Sequence, residues 1–350
     1  MHHSRVPTTT GAAFIRRTRE LREAAERLDL APAATRAADS RGRDRVEPPD
    51  TYRTVFERDR DRIVHSKAFR RLKHKTQVFL DPEGDHVITR LTHTLQVHQI
   101  ARSLAQALSL NEALAEAIAL GHDVGHTPFG HTGEEALSPY FPQTGGWHHA
   151  AQSVRIFERL EPLNLTWEVR DGIRAHSWRI DPPPATQEAF CVRYADRIAY
   201  LTHDALDALR AGVLTPGDFP ALVSARFGPP GPHWIGEMIE AVLEESLRGD
   251  EVRMDAATLA VMHELRDFMF QRVYLSADQR TRTAEAIDLL RRLMDWHLDH
   301  PWQLPDSYRD EDADRVTQVA DYVAGMTDRF AQRTHERLFG APGITGGGAW

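Results

Sequence analysis

A chain of 350 residues, 41% hydrophobic and 27% charged, has the composition of a folded protein with a large core. Its formal charge of −8 argues against a general nucleic-acid coat, and its one cysteine, Cys191, excludes an internal disulfide and a thiolate metal cluster. No run approaches the ~20 apolar residues of a membrane helix and no apolar signal core opens the chain, so it reads as a soluble, cytoplasmic protein with no membrane partner.

Residues 1–50 open with an expected short helix around Ala12 to Leu28 and pass into Ala/Pro/Arg/Asp sequence with little apolar periodicity. The expectation is an N-terminal arm, partly disordered or ordered against another subunit. From Thr54 to Lys75, apolar residues such as Phe56, Ile63, Phe69 and Leu72 are set among charges, with eight Lys or Arg against two Asp between Arg58 and Lys75. A solvated helix face with internal ion pairs and an anion site for phosphates both account for that run. Thr76 to Leu80 and His86 to Arg90 flank Asp81-Pro82-Glu83-Gly84-Asp85, which is turn chemistry between β-prone runs. This predicts one short β-hairpin near 76–90 in an otherwise all-α, mainly helical chain.

Between Leu91 and Leu110, His93 shares helical spacing with Val97, Ile100, Leu104 and Leu108, which puts it on a buried face. Asn111 is a good N-cap for the next helix, where Leu114, Ile118 and His122 form one stripe. Two packed helices then bring two histidines to one interior. The stretch Gly121 to His131 holds three histidines and an aspartate within eleven residues, broken by three glycines and Pro128, more titratable chemistry than a helix end needs. Further helices are expected at Ala150 to Leu160, Trp167 to His176, Ala189 to Ala211, Trp234 to Leu247, Asp255 to Tyr274, Arg280 to Leu298 and Asp312 to Leu338. Residues 340–350 read as a flexible tail. Along the helix 189–211, Asp196, Tyr200, Asp204 and Asp207 fall on one face; surface carboxylates do this too, but its apolar neighbours turn Asp196 inward.

His93, His122, Asp123 and Asp196 form a mixed nitrogen and oxygen donor set. It suits Mn²⁺, Fe²⁺, Co²⁺, Ni²⁺ or Zn²⁺, and Mg²⁺ where phosphate and water complete the shell. Beyond it stand His126, His131, Glu134 and His149. A histidine oriented by a carboxylate delivers a proton to a leaving oxygen, and His131 and Glu134 meet if a helix begins near Thr132.

The sequence resembles the HD superfamily, and within it the deoxyguanosine triphosphate triphosphohydrolase family. The matching runs are Phe56 to Ile63, Ser66 to Leu72, Lys75 to Phe79, Arg90 to His93, Gly121 to His131, Ala195 to Tyr200 and Asp321 to Arg329, spread over most of residues 50–335. The resemblance implies one HD-domain deoxynucleotidase over 51–339, with a metal core at about 90–210 and C-terminal helices at 233–339. It implies hydrolysis of deoxynucleoside triphosphates at the α-phosphate, giving deoxynucleoside and inorganic triphosphate, with a divalent metal ion, Mn²⁺ or Mg²⁺ first, as cofactor. By motif, His93, His122, Asp123 and Asp196 hold the metal and His126, His131, Glu134 and His149 are catalytic. Gln77, Val78, Arg90, Arg197, Tyr200, Asp204 and Tyr322 surround sugar and phosphates. Ala150 stands where the family often has Asn. The resemblance further implies a homo-oligomer, hexamer or tetramer, and regulation by nucleotides or single-stranded DNA. Two alternatives stand beside this reading. One is another HD-superfamily phosphohydrolase, a nucleoside monophosphatase or cyclic nucleotide phosphodiesterase; the other is a single-stranded-DNA-binding protein with a structural metal site.

Overall fold

The computed structural model describes residues 14–77, 88–274, 277–340 and 344. In chain order its helices are α1 (Arg19–Asp29), α2 (Val55–His65), α3 (Lys67–Arg71), α4 (Arg90–Ala107), α5 (Glu112–Gly121), α6 (His131–Leu137), α7 (His149–Arg155) and α8 (Trp167–Ala175). There follow α9 (Gln187–Arg210), α10 (Ala221–Phe227), α11 (His233–Ser246), α12 (Ala256–Met269), α13 (Ala277–Asp299), α14 (Arg315–Ala324) and α15 (Asp328–Phe339). Among the described residues there is no strand. The expected hairpin is represented by one antiparallel bridge, Thr76 to Thr89, and the rest of it, Val78 included, lies outside the described residues. The tail 340–350 does likewise, except for residues 340 and 344.

Side-chain caps set many of the helix starts. Thr54 and Glu57 form a capping box on α2, and Thr89, Asn111 and Thr186 accept from the third helical N–H of α4, α5 and α9. The α5 sequence is apolar apart from Glu112 and Glu116, and Leu114 through Gly121 are all buried beneath α2, α4, α8 and α9. That is the centre of the larger core. A second core gathers Leu289, Leu290, Leu293 and Met294 of α13 with Val319 and Val323 of α14, Leu137 of α6, Phe129 and Trp147.

Two expected helices, 150–160 and 255–274, finish in π-helical turns at Ile156–Leu160 and Phe270–Tyr274. The run 312–338 divides into α14 and α15 because Thr327 leaves helical geometry and caps the Phe330 N–H. Within 14–50, α1 is followed by a strap fixed at several points. Thr35 donates to Glu188 through N and Oγ1 (2.8 and 2.9 Å), Arg43 pairs with buried Asp59, and Ser40 and Arg41 donate to Glu168.

Half of the eight basic residues in the run 58–75 are held in intramolecular contacts as follows. Arg58 and Arg62 meet Glu47, Arg60 meets Glu116, and buried Lys75 donates to the His126 and Ala324 carbonyls. Solvated-face ion pairing describes Arg58–Arg62, while Lys75 is a buried tie.

Candidate active site

Between the two cores, a cavity of about 350 Å³ is lined from α4, the segment 121–135, α7, residues 176–179, α9 and the 266–274 turn. His93 enters from the first turn of α4 and Asp196 from α9, with His93 Nε2 to Asp196 Oδ1 at 3.1 Å. His122 and Asp123 follow directly on α5. His122 Nε2 lies 3.3 Å from Asp123 Oδ1 and 3.9 Å from Asp196 Oδ1, and His93 Nε2 lies 4.0 Å from Asp123 Oδ2. Four donors from three elements therefore converge within a few ångströms.

The donor chemistry fits a divalent ion. His122 Nδ1 donates to the Ala119 carbonyl at 2.6 Å, so Nε2 carries a bare lone pair, and that buried atom has no hydrogen-bond partner. Burial opposes the charge on Asp123, but His122, His126 and Arg90 hold its pKa well below the usual carboxylate range; Arg90 donates to its Oδ2 at 2.8 Å. Burial likewise opposes ionisation of Asp196, yet the His93 hydrogen bond and nearby imidazoles bring it down to about 2. Both carboxylates are ionised at neutral pH, the state a divalent ion would require of them.

The turn sequence explains how one short segment serves two clusters. Gly125 lies so close to α7 that a Cβ there would stand 2.3 Å from the Ser153 nitrogen and 2.5 Å from the His149 oxygen. Ser153 Oγ accepts from the Gly125 N–H and donates to the His122 carbonyl, both at 2.9 Å. Phe129 and Gly130 take positive φ of 61° and 58°, which reverses the chain into α6 at His131. Asp328 of α15 fixes this bend, accepting from the Phe129 N–H at 3.1 Å and from Thr76 N and Oγ1 at 2.9 and 2.7 Å.

The second cluster centres on Glu134. It accepts from His131 Nδ1 at 3.2 Å, from the His149 backbone N–H at 3.0 Å and from His149 Nδ1. Burial opposes charge on both partners, but His149 and Glu134 stabilise one another, raising the His149 pKa and holding Glu134 well below its ordinary value. His126 stacks on His149 with ring centroids 3.9 Å apart, and burial, Arg90 and His149 push its pKa well down. His131 is 73% exposed at the cavity rim, with its Nε2 free to meet a ligand.

Family comparison then gives these groups a lineage. The HD domain matches residues 90–201 and the phosphohydrolase-associated domain matches residues 252–337. A protein of Caldanaerobacter subterraneus subsp. tengcongensis, called deoxyguanosinetriphosphate triphosphohydrolase-like, is 46% identical over 329 residues, covering 92% of this chain and 96% of its own. Proteins of the same description from Desulfatibacillum aliphaticivorans (43% identical, 89% and 94% covered) and Clostridium perfringens strain 13 (40%, 92% and 97%) match similarly.

The chain belongs to the deoxyguanosinetriphosphate triphosphohydrolase-like family of HD-domain proteins. It is a hydrolase of the HD phosphohydrolase superfamily, and the HD domain together with the His/Asp cluster points to a divalent metal ion. Among the described residues, no helix is long and apolar enough to cross a membrane.

Of the residues that the resemblance assigned to sugar and phosphates, Gln77, Arg90, Arg197, Tyr200 and Asp204 line the cavity. Asp204 is buried, which pushes its carboxyl up to about 7 against the opposing hydrogen bond from Tyr274 Oη at 2.5 Å. Arg197 lies over the Trp178 ring, 4.1 Å from its centre, and donates to His263 at 2.8 Å. Tyr322 is the exception. Its ring packs against His297 and Tyr308 and lines a separate hollow with Arg71, Gly325 and Phe330, because that face of α14 turns toward α13 rather than the metal donors.

Sequence reasoning missed His176, Trp178, Arg179, Arg266 and Tyr274, all of which line the cavity. His176 is the most consequential: it is 1% exposed and its Nε2 lies 2.9 Å from His149 Nε2. Its position immediately after α8, like that of His122 after α5, was the available signal.

Proposed function

We propose that this protein hydrolyses deoxynucleoside triphosphates at the α-phosphorus, releasing deoxynucleoside and inorganic triphosphate. The observation that carries the reading is that one cavity joins the metal-donor quartet to the Glu134 cluster and to arginines 90, 179, 197 and 266, with Asp204, Tyr200 and Tyr274 along a further wall. Triphosphate needs distributed cationic contacts, and a sugar needs a hydrogen-bonding surface with an aromatic flank.

His93, His122, Asp123 and Asp196 would hold the divalent ion, which when bound neutralises phosphate oxygens and lowers the pKa of a water. The residues of the chain do the rest. Arg90 holds Asp123 in place through its Oδ2, and the remaining arginines bind the phosphate chain. His131, oriented through Nδ1 by Glu134, presents Nε2 to the 5′ oxygen and supplies the proton that the departing deoxynucleoside requires. Water contributes its oxygen to the released triphosphate and gives up a proton to solvent, and the exposed His131 regains one at Nε2 before the next turnover. His126 and His149 wall the same side and exclude bulk water. Asp204 and Tyr274 form a hydrogen-bonded pair suited to a sugar hydroxyl, and Tyr200 narrows the cavity where a ribose 2′-hydroxyl would sit.

Product analysis tests this. The protein with Mn²⁺ and each deoxynucleotide, singly and in mixture, is expected to yield deoxynucleoside and triphosphate. Release of pyrophosphate or monophosphate, or no turnover in any combination, refutes the proposal; turnover only in mixtures reveals an activating nucleotide.

A further inference from the structure

Arg71, the last residue of α3, meets no carboxylate and lines a hollow instead. The hollow, of about 270 Å³, is bounded by α3, the turn Asp306–Tyr308, α14 and the start of α15, apart from the main cavity. Tyr308 and Tyr322 meet there with ring centroids 5.2 Å apart at 68°, and Met326 and Phe330 complete an apolar wall. Gly325 makes this junction possible, since a Cβ there would stand 2.8 Å from Tyr308 Oη and 2.9 Å from the Asp321 carbonyl oxygen. Among the described residues, none pairs with the Arg71 guanidinium or with the hydroxyls of Tyr308 and Tyr322. Burial raises the Tyr322 pKa, so its hydroxyl remains a donor at neutral pH.

Size and charge define what fits. A volume of about 270 Å³ falls just under the range of about 300–1,000 Å³ that holds drug-sized ligands, which leaves room for one ring system. Three aromatic side chains suit the face and edge of a planar ring. Among the described residues, Arg71 is the one cation of the lining, and one guanidinium matches one carboxylate through two parallel N–H donors. The further charges of a nucleotide's phosphates would go unmet there. The chemistry therefore selects an aromatic monocarboxylate.

The walls of the hollow belong to the same two segments that hold the turn 126–131. Four residues beyond Arg71, buried Lys75 donates to the His126 carbonyl and, at 2.8 Å, to the Ala324 carbonyl. Along α14 and α15, Asp321 accepts from Gln152 and Asp328 from the Phe129 N–H, while Tyr322, Gly325, Met326 and Phe330, interleaved with them, line the hollow. Burial, and after it the charge of Arg71, push the Lys75 ammonium well below its usual range, with Asp328 opposing. A carboxylate on Arg71 offsets that repulsion and strengthens Lys75 as a donor to both carbonyls. We infer that the hollow is a second ligand site, for an aromatic monocarboxylate held by Arg71 and ringed by Tyr308, Tyr322 and Phe330, whose occupancy tightens Lys75 on the turn 126–131. The inference stands whether or not the substrate is a deoxynucleotide.

Fluorine NMR of 4-(trifluoromethyl)benzoate titrated with the full-length protein tests the site, and amide hydrogen exchange read by mass spectrometry tests the tie. Saturable binding is expected for the wild type, weakened roughly tenfold or more by Arg71→Gln, several-fold by Phe330→Ala, and unchanged by Arg266→Gln in the main cavity. The neutral 4-(trifluoromethyl)benzyl alcohol should bind roughly tenfold more weakly than the benzoate. With benzoate saturating, amides of 126–131 should exchange several-fold more slowly, and Arg71→Gln should abolish that slowing. Phe330 is 45% exposed and Arg71 half-buried, so neither change opens the core; thermal melts verify folding, and the alcohol comparison needs no variant. Absence of saturable binding, equal affinity for the alcohol, indifference to Arg71 and Phe330, or loss of binding in Arg266→Gln overturns the site. Saturation with unchanged exchange at 126–131 overturns the tie.

Discussion

In the proposed mechanism Glu134 is the residue at which proton transfer and geometry meet, because it holds His131 with one oxygen and His149 with the other. Glu134→Gln keeps the shape but loses the charge that polarises His131. Turnover is expected to fall roughly 10²- to 10⁴-fold while metal affinity at the proposed His93 quartet is unchanged; a rate within a few-fold of wild type would exclude His131 and Glu134 as the proton path. Asp204 makes a prediction about pH. Its carboxyl is lifted from 3.8 to about 7 by burial, so the folded protein keeps a proton that the unfolded chain releases near pH 4. A raised folded-state pKa means that this group's stabilisation is complete at low pH, is lost as pH rises from about 4 to about 7, and changes no further above that. Between pH 5 and 8 the wild type should lose on the order of 2–3 kcal/mol more than Asp204→Asn in urea melts; parallel losses would show that Asp204 titrates normally. His176 escaped notice in the sequence because it is one of 19 histidines and 27 residues from His149 in the chain. Only the packing of α7 against α8 makes them neighbours.

At the level of elements, periodicity and caps located most helices, since apolar spacing and capping residues are local properties. Asn111 and the α5 stripe are examples in which pattern and packing agree. What the pattern did not carry was backbone detail set by tertiary contact: the π turns ending at Leu160 and Tyr274, and the break at Thr327 that lets Asp328 reach Phe129 and Thr76. The hollow that Tyr322 lines, apart from the main cavity, was hidden for the same reason, since its helix was located but not its rotation. Gly125 provides the test at this scale. Gly125→Ala drives a methyl into the backbone of α7, the helix that carries His149 and Ser153. A loss of about 1–3 kcal/mol is expected, with reduced turnover. The same change at Gly217, where an added methyl meets nothing within 4 Å, should leave melting temperature and rate unaltered.

Across the whole molecule, the strap from 30 to 50 satisfies buried acids that belong to distant helices. Glu188 accepts from Thr35 and from the Asn111 N–H at 3.0 Å, Asp59 from Arg43 and from Thr166 N and Oγ1 at 2.7 Å each, and Glu168 from Ser40 and Arg41. Removing residues 1–46 leaves these carboxylates with fewer partners or none, and stranding a buried charge costs roughly 3–5 kcal/mol for each pair broken. The truncated protein is expected to lose its cooperative melt or fail to accumulate in soluble form. A truncated form that melts within a few degrees of the full chain would show the strap to be dispensable.

The strap also imposes an order on synthesis. Thr35 and Ser40 leave the ribosome well before Glu168 and Glu188, their partners across more than a hundred residues of chain. Until α9 has emerged, the Thr35 end of the N-terminal segment lacks the acid it fastens to. Nascent chains halted before Glu188 should therefore expose it to proteases, and its closure marks the moment at which the first-made part of the protein is locked by a part made much later.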